Sequence, residues 1–147
     1  MDRTTCTEII LEAKQAKGLT LQEIADKIGH HVVWTTAAIM GQATMDAAEA
    51  QALTSLLDLD DDVALALQTI PSKGSVGMTV PTDPLMYRLH EITQIYGTSI
   101  KAVIHEMFGD GIMSAIDFEL DIQRKEDPKG DRVVVTLSGK FLPYKKW

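Results

Sequence analysis

Cysteine is almost absent from this chain: Cys6 is the only one among 147 residues. No internal disulfide can form, and a lone thiol near a terminus reads as incidental rather than catalytic. Aromatic side chains are scarce, with two Trp, three Tyr and three Phe. Aliphatic and alanine-rich helix packing must therefore do most of the burying. Long apolar runs are missing too, and none approaches the roughly 20 residues of a membrane-spanning helix. The first residues, MDRTTCTEII, carry neither the basic start nor the apolar core of a secretory signal. Basic side chains are outnumbered, 14 against 21 acidic, for a formal net charge of −7. That balance argues against a general binder of nucleic acid or anionic membrane. A reducing, cytoplasmic compartment is the expectation, and any anion site must be a local positive focus in a negative background.

What is present is an ordinary globular composition, 45% hydrophobic and 24% charged, enough for one domain or two small ones. The pattern predicts a mostly α protein with a small β part. Residues 1–75 read as a helical bundle of helix-turn-helix, repressor-like type. Thr5 and Glu8 have capping-box spacing, as do Thr20 and Glu23. Gly18, Gly29 and Gly41 fall where three short helices would stop. A fourth helix is predicted over 44–57, with Ala48, Ala52, Leu53 and Leu56 as its inner stripe. Asp60, Asp61 and Asp62 then sit where a further helix begins, and their charge complements its dipole. Helix start is a better reading of that run than metal binding.

The segment Pro71-Ser72-Lys73-Gly74-Ser75-Val76-Gly77 breaks the composition and reads as a linker. It lacks the context and the Gly-Lys-Ser/Thr ending of a phosphate loop. Residues 76–147 then read as an α+β unit. Asp83 is a good N-cap, and Pro84 suits the first helical position. Two helices are predicted, over 84–96 and 99–108, stopped by Gly97 and Gly109. The period then changes to two: Ile116, Phe118, Leu120 and Ile122 alternate with Asp117, Glu119, Asp121 and Gln123, the pattern of a half-buried strand. Asp127 to Asp131 form the turn, 132–137 the returning strand, and Ser138-Gly139 a second turn. By strand parity Ser114 shares a face with Ile116 and Phe118. Its hydroxyl then points into buried surroundings, where a ligand or partner subunit would have to satisfy it. Two helices and a hairpin make a poor core on their own, so this half should need a partner.

The repressor-like half lacks the chemistry of a DNA reader. Phosphates demand Lys or Arg, and bases are read mostly by Arg, Lys, Asn or Gln. The would-be recognition helix, HVVWTTAAIM, has no Lys or Arg, and residues 1–80 hold five basic side chains against eleven acidic ones. A scaffold for assembly is the better reading. The four histidines show no metal-ligand spacing, and none stands in triad relation to Ser114. Arg88 and Glu91 lie three apart on one predicted helix face. On spacing alone they read as a surface ion pair. Together with Ser114, just past the Gly109-Asp110-Gly111 turn, they also make a kit for holding a small anion.

A longer pattern decides between these two. Pro81-Thr82-Asp83-Pro84, Met86-Tyr87-Arg88, Glu91, Tyr96-Gly97-Thr98, His105-Glu106, Phe108-Gly109-Asp110-Gly111-Ile112 and Ser114-Ala115-Ile116 follow in order. Gly139-Lys140 and Leu142-Pro143 continue the pattern. In these residues, and more loosely back through the N-terminal half, the chain resembles the cyanase (cyanate hydratase) family. His90 departs from the aromatic residue that the pattern calls for. The resemblance implies a lyase that uses bicarbonate as co-substrate to convert cyanate to carbamate and CO2, the carbamate then giving ammonia and CO2. It implies Arg88, Glu91 and Ser114 as catalytic residues, and no metal or organic cofactor. It further implies a homodecamer, a pentamer of dimers with interlaced C-terminal strands and sites shared between subunits. Arg88 would bind an anion and stabilise an anhydride-like intermediate, and Ser114 would donate a hydrogen bond. Glu91 would position Arg88 or move a proton. The alternative is a helix-turn-helix DNA-binding regulator with a C-terminal dimerisation module.

Overall fold

The computed structural model describes residues 1–74 and 79–147; residues 75–78, which include the last three of the predicted linker, lie outside them. The described residues form six helices and one two-stranded antiparallel sheet, and the chain divides into two units, Met1–Gly74 and Ser75–Trp147.

The first unit holds α1 (Arg3–Ala16), α2 (Leu21–Ile28), α3 (Val32–Ile39), α4 (Ala47–Leu57) and α5 (Asp61–Gln68). Its core is aliphatic: Ile10, Ile24, Ile39, Leu53 and Leu67 are fully enclosed, with Cys6 and Met45 among them. Local chemistry explains most of the boundaries. The predicted capping box at the start of α2 is complete. Thr20 N–H donates to Glu23 Oε2 at 2.7 Å and Glu23 N–H donates back to Thr20 Oγ1 at 3.1 Å. The Thr20 backbone and then its hydroxyl hold the Glu23 carboxyl below its ordinary range. Helix α5 does begin in the acidic run, with Asp61 and Asp62 in its first turn.

Two expectations shift. Asp2, not Thr5, caps α1: its Oδ1 accepts from Thr4 and Thr5 N–H at 2.9 and 3.0 Å. An aspartate one turn earlier takes the orphan donors before Thr5 can, and Thr5 becomes a helical residue. Likewise Asp46 caps α4 through a box with Glu49, so the helix starts at Ala47 and not at 44. Its buried stripe is Ala50, Leu53, Thr54 and Leu57; Ala48 is exposed. Arg3 ties the unit together. Its guanidinium donates to the carbonyls of Ala38, Ala43 and Ala66, two of them in the last turns of α3 and α5, where cations are favoured.

Cys6 is fully enclosed, and burial pushes its thiol up. Iodoacetamide should leave the folded chain unmodified and label Cys6 stoichiometrically in denaturant. Rapid labelling under native conditions would contradict the packing described for α1.

The second unit holds α6 (Pro84–Phe108), β1 (Gly111–Lys125) and β2 (Arg132–Pro143). Asp83 caps α6 as expected, accepting from Leu85 and Met86 N–H at 3.0 and 2.9 Å, with Pro84 in the first turn. The two predicted helices are one. Gly97 lies inside α6 and keeps a negative φ. A glycine inside a helix costs only about 1 kcal/mol relative to alanine, and no proline follows to force a stop. Gly109, by contrast, takes φ 89° and ends the helix.

The strands are longer than predicted. β2 runs straight through Ser138-Gly139, so no second turn forms. Phe108 stacks on Phe141, ring centroids 5.1 Å apart, which ties the end of α6 to the far end of β2. In the whole unit only Gly111 and Ser114 are buried among the described residues, and α6 has no buried residue at all. Leu85, Leu89, Ile92, Tyr96, Ile100, Val103 and Met107 stand exposed at intervals of three and four along its length. That is an apolar seam at helix–helix spacing.

Candidate active site

Arg88 and Glu91 occupy adjacent turns near the start of α6, and their side chains meet. Arg88 Nε lies 3.2 Å from Glu91 Oε2. The carboxylate engages the inner nitrogen of the guanidinium. The two outer nitrogens have no hydrogen-bond or ion-pair partner among the described residues, and that edge of the fork is the one suited to a planar anion. The Arg88 Cζ also lies 5.0 Å from the Tyr87 ring centroid, inside cation–π range. Arg88 is 62% exposed and Glu91 39%, so in a lone chain water surrounds the pair.

Ser114 is placed by an irregularity of the sheet. Met113 pairs with Phe141 and Phe118 pairs with Gly139. Residues 114–117 thus span a stretch that Lys140 alone fills on β2. This wide bulge breaks the parity on which the sequence argument rested. Ser114 is buried as predicted, at 5% exposure, yet Ile116 is 98% exposed. The two do not share a face. Nor does the Ser114 oxygen await a ligand. Ile116 and Asp117 N–H donate to its Oγ at 3.1 and 3.0 Å. With both N–H groups on the oxygen, the hydroxyl is left as a donor, and its proton has no acceptor among the described residues. Lys140 Nζ approaches Asp117 Oδ2 at 3.8 Å across the bulge.

The structure therefore brings Arg88 and Glu91 together and leaves Ser114 apart from them. Twenty residues of continuous α6 separate Arg88 from Phe108, about 30 Å of helix, and the hairpin is tied to the far end. Sequence reasoning singled out these three residues together but placed a break at Gly97, which hides this separation. It missed Gly139, read as a turn, whose role is in close packing against Ser114. His30 Nε2 lies 2.5 Å from Glu49 Oε1, and His31 Nδ1 accepts from Val33 N–H. No group of acidic, His or Cys residues among the described ones is arranged to hold a metal ion. No described helix is long and apolar enough to cross a membrane.

A five-helix unit followed by a long capped helix, which carries a guanidinium–carboxylate pair, and a bulged hairpin defines a mostly helical protein of two units. The profile "Cyanate hydratase, N-terminal" matches residues 3–71 and "Cyanate lyase C-terminal domain" matches residues 78–146. The chain belongs to the cyanate hydratase (cyanate lyase) family. Relatives named cyanate hydratase include that of Dechloromonas aromatica, 51% identical over the whole of both chains. Another, from a Synechococcus species, is 54% identical over 98% of this chain and 96% of its own. The crystal structure of cyanase from T. urticae superposes with a TM-score of 0.84 at 39% identity, covering 94% of this chain and 96% of that one.

Proposed function

We propose that this chain is a bicarbonate-dependent cyanate hydratase whose sites are assembled from more than one copy. The observation that carries the reading is the Arg88–Glu91 pair, in which the carboxylate holds Nε and leaves the outer edge of the guanidinium for an anion. Cyanate and bicarbonate are both anions and repel each other. A fixed positive charge in a site with little water lowers that repulsion. A bicarbonate oxygen attacks the cyanate carbon and a proton passes to the cyanate nitrogen, giving a mixed anhydride. Cleavage of the bond between the bridging oxygen and the bicarbonate carbon then yields CO2 and carbamate, and carbamate breaks down to ammonia and a second CO2. One proton is consumed up to carbamate. Arg88 binds an anion and stabilises the charge on the intermediate. Ser114, a donor only, orients a substrate oxygen or nitrogen. Glu91 fixes the tilt of the Arg88 fork. Alignment of two bound reactants can itself supply several kcal/mol, so no metal or organic cofactor is invoked.

Arg88 sits in the second turn of α6 and Ser114 lies past its other end, so a site using both draws on neighbouring copies. The exposed seam of α6 supports an assembly, for which family resemblance suggests a decamer of five dimers. The first unit acts as scaffold in this reading and not as a DNA reader, because α3 carries no Lys or Arg. A cytoplasmic setting fits the lone cysteine. Ammonia release from cyanate, measured with bicarbonate supplied and with bicarbonate stripped by degassing at low pH before assay, tests the proposal. Turnover that depends on bicarbonate is expected. No ammonia in either case, or a rate indifferent to bicarbonate, would reject it.

A further inference from the structure

We infer that Gly139 is a positioning residue for Ser114, and that its missing side chain sets the orientation of the Ser114 hydroxyl; this rests on the reading of Ser114 given above. A β-carbon on Gly139 would overlap the Ser114 carbonyl oxygen and lie 2.5 Å from Met113 Cγ and 3.3 Å from Met113 Sδ. A backbone carbonyl cannot move aside as a flexible side chain can. Gly139 does not have a positive φ, so left-handed backbone is not why glycine stands here. Close approach is the reason. The residue faces the point where β1 leaves the ladder: Phe118 pairs with Gly139, and residues 114–117 loop out beside it. Seating β2 against the Ser114 carbonyl closes the turn whose Ile116 and Asp117 N–H groups hold Oγ. The hydroxyl proton then points away from those donors. Any added atom at Gly139 displaces the carbonyl and rotates that turn. Met113, packed over the bare α-carbon, holds the same place from the other side.

A double-mutant cycle in the full-length assembly tests this, with ammonia release from cyanate plus bicarbonate as the rate and solution mass and melting temperature as controls. Ser114→Ala alone should lower kcat about 10²–10³-fold, the scale for removal of one donor to developing charge. Gly139→Ala should lower kcat about 10²-fold, the cost of a displacement on the order of 1 Å, with KM changed less than about threefold and the assembly intact. In the Ser114→Ala background Gly139→Ala should cost nothing further, because the group it orients is gone. A purely structural role would lower the rate equally in both backgrounds. Gly111→Ala serves as the contrast. A β-carbon there would overlap Leu142 O and crowd Phe141 and Pro143 first, so its strain falls on β2 and its effect should add to that of Ser114→Ala.

Met113→Ala provides a second cycle that adds no atoms and loosens the same contact. It should cost about tenfold in kcat and again nothing in the Ser114→Ala background. Additive losses in both cycles, or Gly139→Ala at the native rate, overturn the inference while leaving the role of Ser114 standing. If Gly139→Ala fails to assemble, the Met113 cycle decides. A Ser114→Ala variant at the native rate removes instead the reading on which the inference is built.

Discussion

Arg88→Leu should release ammonia from cyanate and bicarbonate about 10³-fold more slowly than the native chain, or not at all. The loss exceeds that of a neutral donor because a permanent charge disappears from between two anions, and removal of one oxyanion donor alone reaches about 10²–10³. Stability should barely change. Arg88 is largely exposed and its partner Glu91 sits one turn away, so the lost pair is worth about 0.2–0.5 kcal/mol. Leucine is also a good helix former at such a position. Solution mass and the melting curve should therefore match the native protein while turnover collapses. Arg88→Lys separates charge from shape: it keeps the charge but loses the two-pronged edge, so it should fall between the two. An Arg88→Leu protein that works at the native rate would take the guanidinium out of the chemistry and return the Arg88–Glu91 pair to a surface ion pair.

The second large effect is a gain. Arg88→Leu and Ser114→Ala chains should each keep at most about 10⁻² of the native rate alone, and co-assembled from a denatured mixture they should regain a share well above either. Continuous α6 puts about 30 Å between Arg88 and the end to which the hairpin is tied. A site drawing Arg88 from one copy and Ser114 from its neighbour can then collect both intact groups from two defective chains. Differently tagged chains, isolated as hybrids and assayed for ammonia, give the measurement. Hybrids that stay inactive would place all three groups within one chain and reject the shared site.

How much of this was legible in the sequence depends on the range over which each residue acts. Thr20–Glu23 and Asp83-Pro84 were read correctly because a cap involves only neighbours within one turn. Arg88 and Glu91 were legible as a pair for the same reason, and the family pattern raised them above an ordinary ion pair. Gly97 was misread because a glycine stop needs a positive φ, which the sequence does not specify; the helix runs on and moves Arg88 far from Ser114. Parity gave the right burial for Ser114 by the wrong route. An alternation argument assumes an unbroken ladder, and residues 114–117 leave it. Gly139 beside Ser138 has the composition of a turn. Its contact with Ser114 joins positions 25 apart in sequence, and no local rule reports that.

The apolar seam of α6 has a thermodynamic consequence. The two halves of this molecule obey different laws of mass action. Met1–Gly74 carries its own interior, so its folding equilibrium is unimolecular and indifferent to dilution. The remainder has almost no interior among its described residues, so in the proposed assembly its order and its association would be a single concentration-dependent equilibrium. With the proposed shared site, catalytic competence would follow the amount of chain present, and scarcity by itself would act as an off state.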